Sequence, residues 1–212
     1  MKLIFKASVP ETGDIHSFLF MPVKDLEWVA GQSIKIELTG PYGPLEHRFS
    51  ISSAPHQKLV TITTRLSGSD YKNSLAALKM GDQVDGHSIE GDFIWHDHAH
   101  PHIFVAAGIG ITPIHAILSQ RASEQKPLDS SLIYSSRSTD ILFQNQLDQW
   151  LQPTYVVGRR LSASDVPKTD GLIYISGPHA FVDQLSAALQ KRGVPKDQLI
   201  HDFFTGHLSK QG

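Results

Sequence analysis

The spacing of apolar residues changes character about half-way along the chain. Through residues 1–98, apolar and polar positions alternate in short runs broken by turn residues. Alternation with a period of two is the mark of a strand buried on one side. It predicts strands over Lys2–Val9, Ile15–Met21, Ser33–Leu38, His47–Ser52, Leu59–Leu66 and Gln83–Ile89. Pro10–Asp14 and Gly40–Pro44 are turns. One helix interrupts the strands, over Tyr71–Lys79, with Asp70 as its N-cap and Gly81 as its stop. Six strands with turns between them predict a small antiparallel barrel.

Through residues 99–212 the rhythm is different: buried apolar runs alternate with segments of helical period. Strands are expected at Ile103–Ala107, Leu132–Tyr134, Thr154–Val157, Leu172–Ile175 and Leu199–Phe204. Helices are expected from Thr112, over Asp140–Leu151 and over Phe181–Lys191, the last ended by Gly193 and Pro195. Such alternation builds a parallel sheet covered by helices. The fold class is therefore two-domain: an antiparallel six-stranded β-barrel over residues 1–98, then an α/β parallel-sheet domain over 99–212.

The stretch from Pro101 to Ser119 carries the first chemistry. A buried strand runs into Gly108-Ile109-Gly110-Ile111, and Thr112-Pro113 opens a helix. A strand, a glycine turn and a helix N-terminus together bind a pyrophosphate, because free amides and the helix dipole face the negative charge.

Composition removes several alternatives. There is no cysteine, so thiolate zinc sites and cysteine-ligated clusters are excluded, and redox chemistry must come from an organic cofactor. A net charge of −2 gives no nucleic-acid footprint. No apolar run is long enough to span a membrane, and the first residues do not read as a signal peptide, so the cytoplasm is the expected location. His96, His98, His100 and His102 alternate in the expected linker, yet no carboxylate is fixed beside them; no metal site is expected.

Four motifs stand in order: Arg48-Phe49-Ser50-Ile51-Ser52-Ser53, the turn Gly108 to Pro113, Ser176-Gly177-Pro178, and Asp202-Phe203-Phe204-Thr205-Gly206-His207. On a barrel followed by a parallel sheet, they resemble the ferredoxin–NADP reductase family of flavin oxidoreductases. Ala30-Gly31-Gln32 adds to the likeness.

The resemblance implies a flavin on the barrel, FAD by default with FMN possible, and a nicotinamide dinucleotide on the sheet. The family's R-x-Y-S motif maps onto Arg48, Phe49 and Ser50, with Arg48 on the flavin phosphate, Phe49 packed on the ring and Ser50 near flavin N5. Ile51 and Thr64 are implied neighbours of the cofactor. Tyr71, Lys72, Asn73 and Ser74 map onto the second phosphate contact, through backbone amides and the Ser74 hydroxyl. Phe93 and Trp95 are either adenine-stacking or core residues.

On the sheet, Gly108, Gly110, Thr112 and Pro113 would hold the pyrophosphate, and Ser176, Gly177 and Pro178 the nicotinamide, with Ser176 where the family commonly has Cys. Ser50 and Ser176 are the expected catalytic-site hydroxyls. Ser135, Arg137, Arg159 and Arg160 favour a 2′-phosphate, hence NADPH over NADH. Phe203 or Phe204 would cover the flavin ring, and Asp202 is either an acid near the nicotinamide or a strand-end cap.

The expected activity is hydride transfer from NADPH to FAD, then single electrons to a separate carrier such as ferredoxin or flavodoxin. The alternatives are a ferric-chelate or free-flavin reductase, and a flavin-binding redox-sensing or electron-transfer subunit.

Overall fold

The computed structural model describes residues 1–204. The last motif's Thr205, Gly206 and His207 lie outside the described residues. The described chain divides into two compact units, residues 1–95 with His115–Lys126, and 96–114 with 127 onward.

The first unit is a six-stranded antiparallel sheet of β1 (Lys2–Pro10), β2 (Ile15–Pro22), β3 (Ser33–Gly40), β4 (Gly43–Ser50), β5 (Val60–Arg65) and β6 (Gln83–Glu90). Its order is β4-β3-β6-β1-β2-β5. The sheet curls until its two edges meet: Ile51 bridges Ile62, and the Ser52 amide donates to the Thr61 carbonyl at 2.8 Å. Closure of this kind removes exposed strand edges. Phe5, Phe18, Phe20, Ile34, Ile36, Ile51 and Ile62 are buried together inside.

Helix α1 (Asp70–Ala76) is shorter than the pattern predicts, and its N-cap is Ser69, whose hydroxyl accepts from the Lys72 amide, not Asp70. Gly31 shows why the stretch before β3 needs glycine: its φ is +99°, and a Cβ there would sit 2.0 Å from the Phe93 carbonyl oxygen.

The second unit is a five-stranded parallel sheet of β7 (His102–Ala107), β8 (Ser130–Ser136), β9 (Thr154–Val157), β10 (Ile173–Pro178) and β11 (Leu199–Phe204), ordered β11-β10-β7-β8-β9. From β7 the chain moves to β8 on one side and later returns to β10 on the other. Where strand order reverses, the carboxyl ends of a parallel sheet open a ligand crevice. Helices α2 (Ile111–Ser123), α3 (Gln144–Trp150) and α4 (His179–Lys191) connect the strands. α3 starts later than its apolar period suggests, because Phe143 adopts a left-handed φ of 63° and Asp140–Phe143 form a turn. No helix among the described residues is long and apolar enough to cross a membrane.

Candidate cofactor sites

In the first unit the candidate site grows from β4. Successive side chains of a strand point to opposite faces. Phe49 is buried and shares its face with His47, the two rings meeting edge-on at 4.6 Å between centroids. Tyr71 of α1 completes the group, 5.6 Å from Phe49 and 5.4 Å from His47. Its hydroxyl donates to the Ile36 carbonyl at 3.1 Å, and burial raises its pKa.

Arg48 points the other way. It pairs with Glu90 at 2.7 Å, and its guanidinium also donates to the Ser88 hydroxyl at 3.0 Å and the Ser33 hydroxyl at 3.2 Å. Arg48, expected on the flavin phosphate, and Phe49, expected on the ring, therefore lie on opposite faces of β4. They are adjacent in a strand, so alternation separates them.

The cation on the Phe49 face is Lys72. Its side chain is 6% exposed, donates to the Thr64 hydroxyl at 2.7 Å, and holds its ammonium 4.2 Å from the centre of the Phe49 ring. Burial pushes its pKa down to about 7. Among the described residues no carboxylate pairs with it.

The other residues of these motifs divide by location. Ile51 is fully buried in the barrel core. Ser50, at the end of β4, is half-buried, and Asn73 is exposed with its amide on the Gly68 carbonyl at 3.0 Å. Ser74 lines a depression of about 300 Å³ with Glu37, Asp82 and Asp85. Two residues along a helix is more than half a turn, so Ser74 and Lys72 face different ways. Acidic neighbours are unsuited to a phosphate on that side of the helix.

In the second unit the sheet's carboxyl edge gathers residues far apart in sequence. Gly108–Gly110 form a single 3₁₀ turn at the end of β7, before α2. Gly108 has a φ of +56° with open space where a Cβ would stand, and its carbonyl accepts from the Tyr134 hydroxyl at 3.0 Å. Gly110 is different: a Cβ there would lie 2.4 Å from the Ser176 carbonyl oxygen. This glycine lets the turn press against β10, whatever else approaches it. α2 begins at Ile111, one residue before the expected start, and the Thr112 hydroxyl donates to the Ile109 carbonyl at 3.0 Å. Thr112 and Pro113 are both buried.

Ser176 is fully buried and donates to the Asp202 carboxylate at 3.2 Å. Its hydroxyl therefore has no open face, and the partly exposed member of the pair is Asp202. Gly177 packs closely on Phe181 and Ala107, and Pro178 is exposed. Phe203 is 51% exposed and meets the His179 ring edge-on at 4.6 Å, while Phe204 is half-buried.

Ser135 lies near the end of β8 and Arg137 just after it on the same edge, Ser135 half-buried and Arg137 exposed. After β9, Arg159 makes a two-pronged pair with Asp165, at 2.6 and 2.9 Å, which holds that carboxyl far below its usual range. Arg160 is exposed beside it.

Phe93 is buried at 3% exposure, so it is a core residue. The Trp95 ring is covered by the Arg121 guanidinium at 3.6 Å. Of the alternating histidines, His102 is buried at the start of β7 with Nε2 2.8 Å from the His96 carbonyl oxygen, and His96 stacks on Tyr174. A different trio, Glu37, Glu46 and His87, brings its ligand atoms within 4.8 Å of one another on the first unit's sheet. Glu46 already pairs with Lys35 at 3.0 Å.

Three features were missed by the sequence reading: the His47 ring, the Lys72 side chain and the Glu90 partner of Arg48. Counting back two residues from Phe49 would have found His47. Nothing in the sequence marks Lys72 as buried.

The comparisons agree with this architecture. A family model described as an oxidoreductase NAD-binding domain matches residues 104–155. A flavohemoprotein of Vibrio cholerae is 27% identical over 93% of this chain and 57% of its own length. The chain spans 56–60% of the first curated relatives it matches. Among solved structures, the FAD/NAD-binding domain of a Vibrio cholerae nitric oxide dioxygenase superposes with a TM-score of 0.81 at 24% identity, covering 97% of this chain and 98% of that one. A ferredoxin NADP+ reductase of Neisseria gonorrhoeae, with bound FAD and NADP, gives 0.81 at 15% identity over 96% and 98%. The chain has the two-domain fold of the ferredoxin–NADP reductase-like flavin oxidoreductases.

Proposed function

We propose that this chain is the reductase portion of an electron-transfer system, taking hydride from NAD(P)H onto FAD and delivering single electrons to a centre beyond these 212 residues. The observation that carries this reading is the carboxyl edge of the parallel sheet. There Gly108–Gly110 and Ser176–Gly177 meet at the reversal of strand order, in a fold shared with a propane 2-monooxygenase reductase component and a ferredoxin NADP+ reductase. The flavin supplies the conversion of a two-electron donor into single electrons.

The chain's own residues bind and orient. In the first unit the half-buried Ser50, at the end of β4, offers a hydroxyl beside the buried Phe49 and Lys72. FMN in place of FAD would bind at the same place. In the second unit the turn after β7 holds the dinucleotide's pyrophosphate, and Asp202, fixed by Ser176, lies at the nicotinamide end. NADPH is the preferred donor on the strength of Arg137 and Arg160, both exposed on the sheet's carboxyl edge.

The acceptor on the motif reading is ferredoxin or flavodoxin. The flavohemoprotein relatives favour a second reading, a haem centre on the same or another polypeptide. The test is an anaerobic titration of the purified chain with NADPH and NADH, followed through the flavin absorption bands. Bleaching by NADPH at lower concentration than NADH is expected. The reduced protein is then mixed with ferredoxin, flavodoxin or a ferric globin, and the carrier that reoxidises it fastest is the acceptor class. Flavin that neither nucleotide bleaches would overturn the reductase reading.

A further inference from the structure

We propose that Glu37, Glu46 and His87, on the outward face of the first unit's sheet, form a binding site for a divalent transition-metal ion, zinc in particular. The inference goes beyond the flavin reading above and does not depend on it. The three residues come from three adjacent strands, β3, β4 and β6. Each offers one ligand atom, and those atoms lie within 4.8 Å of one another. Two carboxylates and an imidazole are a donor set that suits zinc, with the fourth position of a tetrahedral ion left to water.

Three features of the sheet point to a cation at this place. Glu37 and Glu46 stand directly opposite each other in the β3–β4 ladder. Like charges so placed destabilise a sheet, and a cation between them reverses the sign. Lys35 neutralises part of the pair, 3.0 Å from Oε2 of Glu46, but among the described residues no lysine or arginine pairs with Glu37. His87 supplies the second feature. Its Nε2 is buried, faces Oε2 of Glu37 at 3.4 Å, and makes no hydrogen bond among the described residues. An imidazole nitrogen beside a carboxylate oxygen is suited to a metal. The third feature is a β-bulge that aims His87. The pairing of β6 with β3 slips by one residue between Ile34 and Lys35, and the extra residue, Ser88, has a φ of +27°. In an unbroken ladder His87 would stand opposite Ile36, which is buried in the core; the slip sets it opposite Lys35, on the face of Glu37. The strained residue is thus the one that brings the imidazole to the carboxylates. An ion held by all three ties β4, β3 and β6 together. The ligand atoms converge only in the folded sheet, so its binding stabilises the fold.

The experiment uses the full chain, freed of metal with a chelator, and zinc chloride as the probe. Affinity is read by competition against a chromogenic zinc indicator, and stability by the melting temperature. One tight equivalent of zinc is expected, and the melting temperature should rise with zinc concentration. Glu37→Gln, Glu46→Gln and His87→Gln should each weaken that equivalent by about tenfold or more, since even residues that only orient a ligand are worth that much. Glu37→Gln removes the opposed charges, so its melting temperature without metal should be no lower than that of the wild type. Loss of the zinc response in that variant is then loss of a ligand and not of the fold. The chain has 12 histidines, and His98 and His100 are exposed in an alternating run. Changing both to Ala should leave the tight equivalent in place.

A wild-type chain that takes up no tight zinc would overturn the proposal. So would tight binding that survives all three substitutions, or tight binding that disappears with His98 and His100.

Discussion

Single residues in this chain take their properties from burial that the sequence does not announce. His115, in α2, is 8% exposed, and its Nδ1 lies 2.9 Å from the Ser52 carbonyl oxygen. Burial pushes its pKa down to about 4, the hydrogen bond to Ser52 opposing in part. The folded state therefore keeps His115 neutral where the unfolded chain would protonate it. Stability from this residue is complete above the unfolded value of about 6.5 and is lost as pH falls toward 4. The total at stake is on the order of 3 kcal/mol. Urea midpoints should fall between pH 7 and about pH 4.5. His115→Gln, neutral at every pH, should lower stability at pH 7 but flatten that slope. An unchanged slope would assign the acid sensitivity elsewhere.

At the scale of elements, the turn after β7 separates two uses of glycine that look identical in sequence. Gly108 needs its left-handed φ of +56°, but a side chain there would meet open space. Gly110 has no such backbone demand, and a side chain would run into the Ser176 carbonyl. Gly108→Asn should then cost less than about 1 kcal/mol, since Asn tolerates that conformation. Gly110→Ala should cost about 2 kcal/mol or more, because it forces apart two strands' ends that neither flexible side chains nor solvent can relieve. Urea denaturation of both variants checks the order; equal losses would mean the β7–β10 contact gives way easily.

Strand period was legible at this scale except at the start of β4, which runs from Gly43, inside the turn expected over Gly40–Pro44. β9 and β11 fall where their apolar runs place them, because a short buried strand is mostly determined by its own side chains. The ends of α1 and α3 were not legible, since a cap and a left-handed Phe143 outweigh the apolar period there.

At the scale of the whole molecule, the nucleotide-binding residues form a set only because five strands end on one edge. Arg137 follows β8 and Arg160 follows β9, more than twenty residues apart, yet both stand at that edge. Arg159, its neighbour in sequence, is spent on Asp165. The proposed preference for NADPH therefore falls to Arg160 and Arg137. Arg160→Ala should raise the KM for NADPH by about tenfold while leaving that for NADH nearly unchanged, as a lost ionic contact to a 2′-phosphate would. Arg159→Ala should act mainly by loosening the Asp165 loop, and so affect both nucleotides alike. Steady-state kinetics with both donors distinguishes the two, and parallel losses in Arg160→Ala would remove it from the 2′-phosphate.

The sequence by itself determined the change from an antiparallel to a parallel half, the strand-turn-helix at Gly108 and the aromatic strand at Phe49. Each is written in neighbouring residues, through periods of two and 3.6 and through glycine and proline punctuation. Only the tertiary structure decided which cation shares a face with Phe49, that Ser176 is sealed against Asp202, and that Gly110 serves β10. Those facts depend on side chains that meet across elements, and burial and charge at such meetings are set by partners distant in the chain.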